Sequence, residues 1–467
     1  MQVYNYSGPE FNPYGDDALV EGPEPGPWAA PFAAGPLNST IQLPGSKSLT
    51  NRELVLSALA SSPTLLHAPL HSRDSALMID ALRSLGVSIV EVAGEGAFGP
   101  DLLVTPDELL GGGSIDCGLA GTVMRFMPVV AALALGPVVF DGDVAARRRP
   151  MKTIIDALRA LGVEVNDDGR GTLPFSMYGT STVRGGDLEI DASASSQFVS
   201  GLLLSAPRFT EGLRLRHVGQ TLPSLPHIDM TIACLAARGV VVESPAPGMW
   251  HVAPQQIAGG ECTIEPDLSN AAPFLAAALV AGGTVTIEGW PDATTQVGAH
   301  LATLLPQFGA HVSREDGSLK VDGGAGVLHG GHWPGVTIDL SAGGELAPTI
   351  VGLAALADTP SEITGIGHLR GHETDRLAAL SAEFNALGGD VQQLDDGLRI
   401  TPNPLTGGVW HSYEDHRMAT TGALIGLAVK NVLIDDIDTT AKTLPQFADL
   451  WVRHTRPQHS RVRTGEP

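Results

Sequence analysis

Residues 117–134 read CGLAGTVMRFMPVVAALA, a short loop of small residues followed by a run whose only polar side chains are Thr122 and Arg125. A helix that is apolar on nearly every face belongs in a domain interior rather than at its surface. The same succession, loop then Ala/Leu/Gly-rich helix then short turn and β-branched strand, recurs along the chain. It opens near Gly45 (GSKSLTNRELVLSALA), Cys117, Ala192 (ASASSQFVSGLLLSA), Asp267 (DLSNAAPFLAAALVAGGTVTI), Leu340 (LSAGGELAPTIVGLAALA) and Glu414 (EDHRMATTGALIGLAV). The openings are 72, 75, 75, 73 and 74 residues apart, so the chain is six copies of one structural unit.

Each unit has a second half, an amphipathic helix that stops at a glycine and leads into two short strands. IDALRSLGVSIVEV, IIDALRALGVEV, TIACLAARGVVVES, HLATLLPQFGAHVS and LSAEFNALGGDVQQ are the five full examples. Apolar residues at i, i+3, i+4 and i+7 give the helix, and the glycine supplies a left-handed cap. The sixth unit keeps its helix (QFADLWVRH) but has no strands after it, and the strand at residues 40–43 is expected to supply one missing partner. The chain would then cross between domains near Pro44 and near Glu265. The expected fold is α/β: two inside-out α/β barrels built from six βαβαββ-like repeats, three per domain, with helices central and sheets outside. Residues 45–264 form the N-terminal domain, and 37–44 with 265–455 form the C-terminal domain. If the inner helices run parallel, their N-termini gather at one end of each domain. Two such faces, each bearing partial positive charge and unpaired N–H groups, make a cleft suited to anions.

Composition narrows the function. At 467 residues the chain can hold two full cores. The net charge of −23 argues against nucleic acid or an anionic membrane as a partner, so an anionic substrate must be held by a local basic cluster. The longest apolar stretch, residues 127–140, is too short to span a bilayer. Three cysteines without paired spacing suit a reducing cytoplasm. Residues 1–36 contain seven prolines and five acids but no Lys or Arg, and are expected to be a disordered acidic extension. Residues 456–467 read as a flexible tail.

The informative side chains sit at the helix starts. PGSKSLTNR places Lys47, Ser48 and Arg52 within about one turn of a helix start. A phosphate-binding loop of the nucleotide-kinase type needs Gly directly before the Lys, and Ser46 stands there instead. Matching openings carry Ser195-Ser196-Gln197, Glu345, the run from His372 to Arg376, and Asp415-His416-Arg417, and Lys442 precedes the last helix. Arg125, one turn after Gly121, can reach the cleft or serve a structural pair. Arg147 and Arg148 read as solvated. His368 and His372 are spaced like metal ligands, but the sequence GHETDR lacks the HExxH pattern.

In this order, LPGSKSLTNR, CGLAGTVMR, RRRP, SASSQF, GHETDR, YEDHRMA and TAKTLP resemble the signatures of the 5-enolpyruvylshikimate-3-phosphate synthase family, from about Leu43 to Trp451. The resemblance implies transfer of the carboxyvinyl group of phosphoenolpyruvate to the 5-hydroxyl of shikimate 3-phosphate, with no metal or organic cofactor, in a cytoplasmic monomer that glyphosate inhibits competitively with phosphoenolpyruvate. It implies that Lys47 binds the phosphoenolpyruvate phosphate and takes part in proton transfer. Ser48 and Arg52 would hold shikimate 3-phosphate, Arg52 through its carboxylate. Ser195, Ser196 and Ser224 would bind its phosphate, His368 and His372 would touch it, and Gln197 would bridge both substrates. Gly121 would leave room for phosphoenolpyruvate, which Arg149, Arg376, Arg417 and Lys442 would grip. Glu345 would meet the attacking hydroxyl, and Glu373 is the other acid/base group.

Some positions depart from the family pattern. Leu119 replaces a usual Asn, Glu345 a common Asp, and His227, His368 and His372 stand where Tyr, Asn and Lys are expected. Two rival readings fit the sequence less well. A UDP-N-acetylglucosamine enolpyruvyl transferase would start with a GSKN-type motif and carry a Cys in a mobile loop, whereas Ser48 follows Lys47 and residues 141–150 hold no Cys. A non-catalytic anion-binding repeat protein would not need every charge of the catalytic set.

Overall fold

A computed structural model describes residues 26–455. The chain is a mixed α/β protein with twelve α-helices and six sheets among the described residues. Six helices are the apolar ones of the repeat: Lys47–Ala58, Gly121–Ala131, Gln197–Ser205, Ala271–Ala281, Ala347–Ala355 and His416–Gly426. Four of them are buried along their whole length. The first three pack on one another, and so do the last three. The contact is close at Gly201, where a Cβ would stand 2.4 Å from the carbonyl oxygen of Arg125. Two buried apolar clusters follow, one drawn from residues 54–257 and the other from 33–43 and 268–451.

The amphipathic helices end as their glycines dictate. Gly86, Gly162, Gly239, Gly309 and Gly388 all have φ between +78° and +99°, the left-handed backbone that a residue with a Cβ resists. The fourth of these helices is broken. Val297–His300 and Leu305–Phe308 are 3-10 turns flanking a single α-turn at Leu301–Leu304. Pro306 lacks the N–H that would continue the ladder.

Five sheets share one plan, an edge strand parallel to its neighbour followed by an antiparallel hairpin. The strands alternate in burial, as in Leu37–Ile41, where Leu37, Ser39 and Ile41 are buried and Asn38 and Thr40 exposed, so one face of each sheet covers the helices. In two sheets the edge strand is exchanged. Leu37–Ile41, which precedes the first unit, pairs in parallel with Gly283–Glu288 of the fourth. Gly260–Thr263, which precedes the fourth, pairs with Thr64–His67 of the first. The two chain passes touch: Ser46 N–H donates to the Glu265 carbonyl at 2.8 Å, and Asp267 N–H to that of Pro44 at 2.9 Å.

Two expectations change here. The strand near residues 40–43 completes the fourth unit's sheet, not the sixth's. The sixth sheet, Gly408–Trp410 beside Val432–Ile434, takes its third strand from Trp28–Ala29. Residues 26–36 are therefore not part of a structureless extension: Ala33 is 3% exposed and its N–H donates to the Leu427 carbonyl. Residues 1–25 and 456–467, also expected to be without structure, lie outside the described residues. Among the described residues no helix is long and apolar enough to cross a membrane.

Candidate active site

The starts of the inner helices converge. Lys47, Gly121, Gln197 and His416 each open one, and Glu345 lies in the 3-10 turn leading into a fifth. All five line one cavity of about 300 Å³. Fourteen of the sixteen expected site residues line it, including Ser48, Arg149, Ser195, Ser196, Ser224, His368, His372, Glu373, Arg376 and Arg417. Lys442 stands one contact behind: its Nζ lies 3.0 Å from Glu373 Oε1 and donates to the Leu119 carbonyl at 2.8 Å. Helix N-termini and basic side chains thus make a local positive field in a chain of net charge −23.

The two carboxylates are held differently. Glu345 accepts from the Ser269 hydroxyl at 2.8 Å, with His227 Nε2 at 3.4 Å and Arg417 Nη2 at 3.5 Å. Burial pushes its carboxyl up, but His227, Arg417 and Ser269 outweigh burial and hold it well below the usual range. Glu373 meets Lys442 and, at 3.2 Å, Arg376 Nη2. Burial again opposes ionisation, and the charges of Lys442, Arg376 and Arg149 overcome it. The Glu345 side chain is 23% exposed and that of Glu373 8%, so Glu345 is the more accessible of the two.

Arg376 is fixed by Asp415 through a two-point contact at 2.6 and 3.1 Å, which fits the planar guanidinium fork. Asp415 also accepts the Arg417 N–H at 2.8 Å, capping the last inner helix. Arg417 Nη1 donates to the Ser269 carbonyl at 2.8 Å. Burial, then the neighbouring cations, push His372 and His416 well below the ordinary imidazole range, so both are neutral. His368 shifts the same way, by burial and the charge of Arg376.

Arg52 does not come to the cavity wall. It is 1% exposed, and its guanidinium donates to the carbonyls of Ser48 (2.8 Å) and His227 (2.9 Å) and to the Thr231 hydroxyl (2.8 Å). Burial lowers its pKa to about 10. Four residues beyond Ser48 on a helix, it points inward and braces two residues that do line the site. Arg125 comes to the wall instead. It is 2% exposed, has no carboxylate partner among the described residues, and leaves its Nε unpaired. Burial and the like charge of Arg149 push its pKa well below that of a free guanidinium. Arg147 is exposed and pairs with Asp141.

Sequence reasoning missed Asp267 and Ser269. The Asp267 carboxylate accepts from the backbone N–H of Lys47 at 3.1 Å and from those of Ser269 and Asn270, so one side chain serves the starts of the first and fourth inner helices. The signal was present: both residues lie in the opening of the fourth unit, the place where the other units carry site residues.

Known proteins share this architecture. The family model of EPSP synthase (3-phosphoshikimate 1-carboxyvinyltransferase) matches residues 32–451. A 3-phosphoshikimate 1-carboxyvinyltransferase of Kocuria rhizophila is 55% identical over 430 residues, 91% of this chain and 95% of that protein. Two solved structures of EPSP synthase from Acinetobacter baumannii superpose with TM-scores of 0.73 and 0.71. Each covers 91% of this chain and 97% of its own; at 23% identity they speak for the fold alone. By the extent of the family match and the identity to the Kocuria protein, the chain belongs to the EPSP synthase family.

Proposed function

We propose that this protein transfers the carboxyvinyl group of phosphoenolpyruvate to the 5-hydroxyl of shikimate 3-phosphate and releases phosphate. One observation carries the reading. Five cations, Lys47, Arg125, Arg149, Arg376 and Arg417, line a single cavity together with two ionised carboxylates, Glu345 and Glu373. Two substrates that bring two phosphates and two carboxylates need such a cluster, and the chemistry needs an acid/base pair beside it.

In this reading the phosphoenolpyruvate methylene gains a proton, the 5-hydroxyl attacks the resulting cationic carbon, and the tetrahedral adduct expels phosphate. Glu345 accepts from the attacking hydroxyl. Glu373 and Lys47 deliver and recover the proton at the methylene. Lys47 Nζ stands 3.6 Å from Asp74, a loose contact that leaves it free for the phosphate. Arg149, Arg376, Arg417 and Lys442 take the phosphate and carboxylate of phosphoenolpyruvate, with Gly121 keeping the wall open. Ser48, Ser195, Ser196 and Ser224 take the shikimate phosphate, His368 and His372 touch the same substrate, and Gln197 lies between the two. Arg52 acts by bracing Ser48 and His227.

The same proposal divides the chain into two inside-out α/β barrels, residues 45–264 and residues 37–44 with 265–455, hinged at the paired passes near Pro44 and Glu265. The two separate apolar clusters support that division. Closure of the cleft would exclude water from the cationic intermediate.

The test is phosphate release from phosphoenolpyruvate, assayed with shikimate 3-phosphate, with UDP-N-acetylglucosamine and with no acceptor. Release that depends on shikimate 3-phosphate supports the proposal. Release only with the nucleotide sugar, or with neither, ends it.

A further inference from the structure

Glu383 lies two turns beyond Arg376 on the Arg376–Ala386 helix and so shares its face. It is 2% exposed, and among the described residues no Lys or Arg pairs with it. A buried carboxylate without a cation is costly unless its lone pairs are filled. They are filled from one short segment: the backbone N–H of His411 at 2.8 Å, the His411 ring Nδ1 at 3.2 Å and the Tyr413 hydroxyl at 2.5 Å. Burial, then Glu383, raises the Tyr413 phenol to about 12, so it stays a donor.

The helix therefore grips the 411–415 segment at two places, Glu383 at its start and Arg376 at Asp415. Between the grips the backbone is strained. Tyr413 and Glu414, consecutive residues that both carry a Cβ, have φ of +56° and +55°. The exposed Glu414 side chain makes none of the contacts that hold this turn. The next residues are Asp415, which fixes Arg376, and Arg417, which reaches Ser269 and Glu345.

We propose that Glu383 is a positioning residue: it clamps the His411–Tyr413 turn in its left-handed form, and so sets Asp415, Arg376 and Arg417 in the arrangement that receives an anionic group in the cavity. That the anion is phosphoenolpyruvate rests on the function proposed above; the clamp itself does not.

Four proteins test it: wild type, Glu383→Gln, Glu414→Gly and the double variant. Glutamine keeps the volume but offers one acceptor oxygen, so one of the contacts to the segment is lost. Glu383→Gln is expected to raise the KM for phosphoenolpyruvate at least about tenfold while that for shikimate 3-phosphate stays within about twofold. Glu414→Gly alone leaves both unchanged. In the double variant glycine takes the left-handed backbone without penalty, and the KM for phosphoenolpyruvate returns to within about threefold of wild type. A Glu383→Gln protein that loses thermal stability with unchanged KM values, or a double variant with no recovery, overturns the proposal. The midpoint for protection against thermal unfolding by inorganic phosphate is read on the same proteins. A wild type without turnover that depends on shikimate 3-phosphate would refute the proposed function. The clamp would then stand if the phosphate midpoint moves about tenfold in Glu383→Gln and recovers in the double variant, and fall if it does not.

Discussion

Lys442 Nζ donates to the carbonyl oxygen of Leu119 at 2.8 Å across 323 positions of sequence, and Arg149 Nη1 reaches the same oxygen at 3.3 Å. The acceptor is backbone, so the usual Asn side chain is not required for this contact. The Leu119 side chain is 3% exposed in the first apolar cluster. Lys442→Met would remove the nearer donor of this carbonyl and the nearer cation of Glu373, leaving Arg149 at 3.3 Å and Arg376 at 3.2 Å. Breaking a buried pair from one side costs on the order of 3–5 kcal/mol. Turnover with phosphoenolpyruvate is therefore expected to fall roughly 100-fold or more, and kcat/KM within tenfold of wild type would show that Lys442 is dispensable.

Arg125 should separate stability from activity. A buried guanidinium with no carboxylate partner burdens the ligand-free protein with an uncompensated desolvation cost, which an apolar residue of similar size removes. Arg125→Met is expected to raise the melting temperature while lowering kcat/KM for phosphoenolpyruvate at least about tenfold, because the bound anion loses a counter-charge. Thermal denaturation and steady-state kinetics on one preparation check both. A variant that is less stable and fully active would assign Arg125 to structure alone.

How far the sequence carried depended on the kind of interaction. The helix stops were legible because a glycine's left-handed cap is a local property, and five of them held. The break at Pro306 is equally local, since the proline stands inside HLATLLPQFGAHVS itself. The exchange of Leu37–Ile41 with Gly260–Thr263 was legible only in part: the strand before the first unit was expected to leave it for a later one, but long-range packing selects the fourth unit's sheet and not the sixth's. Arg52 and Ser48 share a motif, yet one turns inward and the other toward the cavity, a distinction set by Thr231 and His227 far along the chain. Asp267 and Ser269 were legible from the repeat itself.

The lowered carboxyl of Glu345 has a pH signature. Its ordinary value is 4.5 and its folded value lies below that, so its ionised contacts stabilise the fold above the ordinary value. That contribution is lost as pH falls through the folded value. Glu345→Gln is therefore expected to melt lower than wild type at about pH 7, with the gap narrowing as pH falls below about 4. The same variant should lose roughly 100-fold or more in kcat. A melting gap independent of pH would mean that the charge of Glu345 contributes nothing to the fold.

Gly121→Ala tests the wall of the cavity. A Cβ there would lie 3.0 Å from Gln197 Oε1, 3.3 Å from Arg125 Nη1 and 3.4 Å from Arg149 Nη2, so a methyl must displace the tip of at least one side chain. Glyphosate, slightly longer than phosphoenolpyruvate, should suffer more than the substrate, by about 1–3 kcal/mol of discrimination. The measurement is the ratio of the glyphosate inhibition constant to the phosphoenolpyruvate KM in both proteins. An unchanged ratio would show that Gly121 does not contact the part in which they differ.

The segment ahead of the first strand exchange should matter for stability. Trp28 and Ala29 pair with Ile434 and Leu433, the Ala30 N–H donates to the Val432 carbonyl, and that of Ala33 to Leu427. Packing is tight: a Cβ on Gly426 would stand 2.4 Å from that of Ala30, and Lys430 Nζ lies 5.1 Å over the Phe32 ring. Without these residues the sixth sheet keeps two strands and bares the edge of Val432–Ile434, a state that is marginal in water. Several backbone bonds and the burial of Ala33 together are worth roughly 2–3 kcal/mol. A chain beginning at Pro36 is therefore expected to melt roughly 4–10 °C below one beginning at Gly26. Gly426→Ala in the longer chain should reproduce part of that loss by pushing Ala30 away. Equal melting temperatures for the two chain lengths would mean that the strand at Trp28–Ala29 adds nothing to the fold.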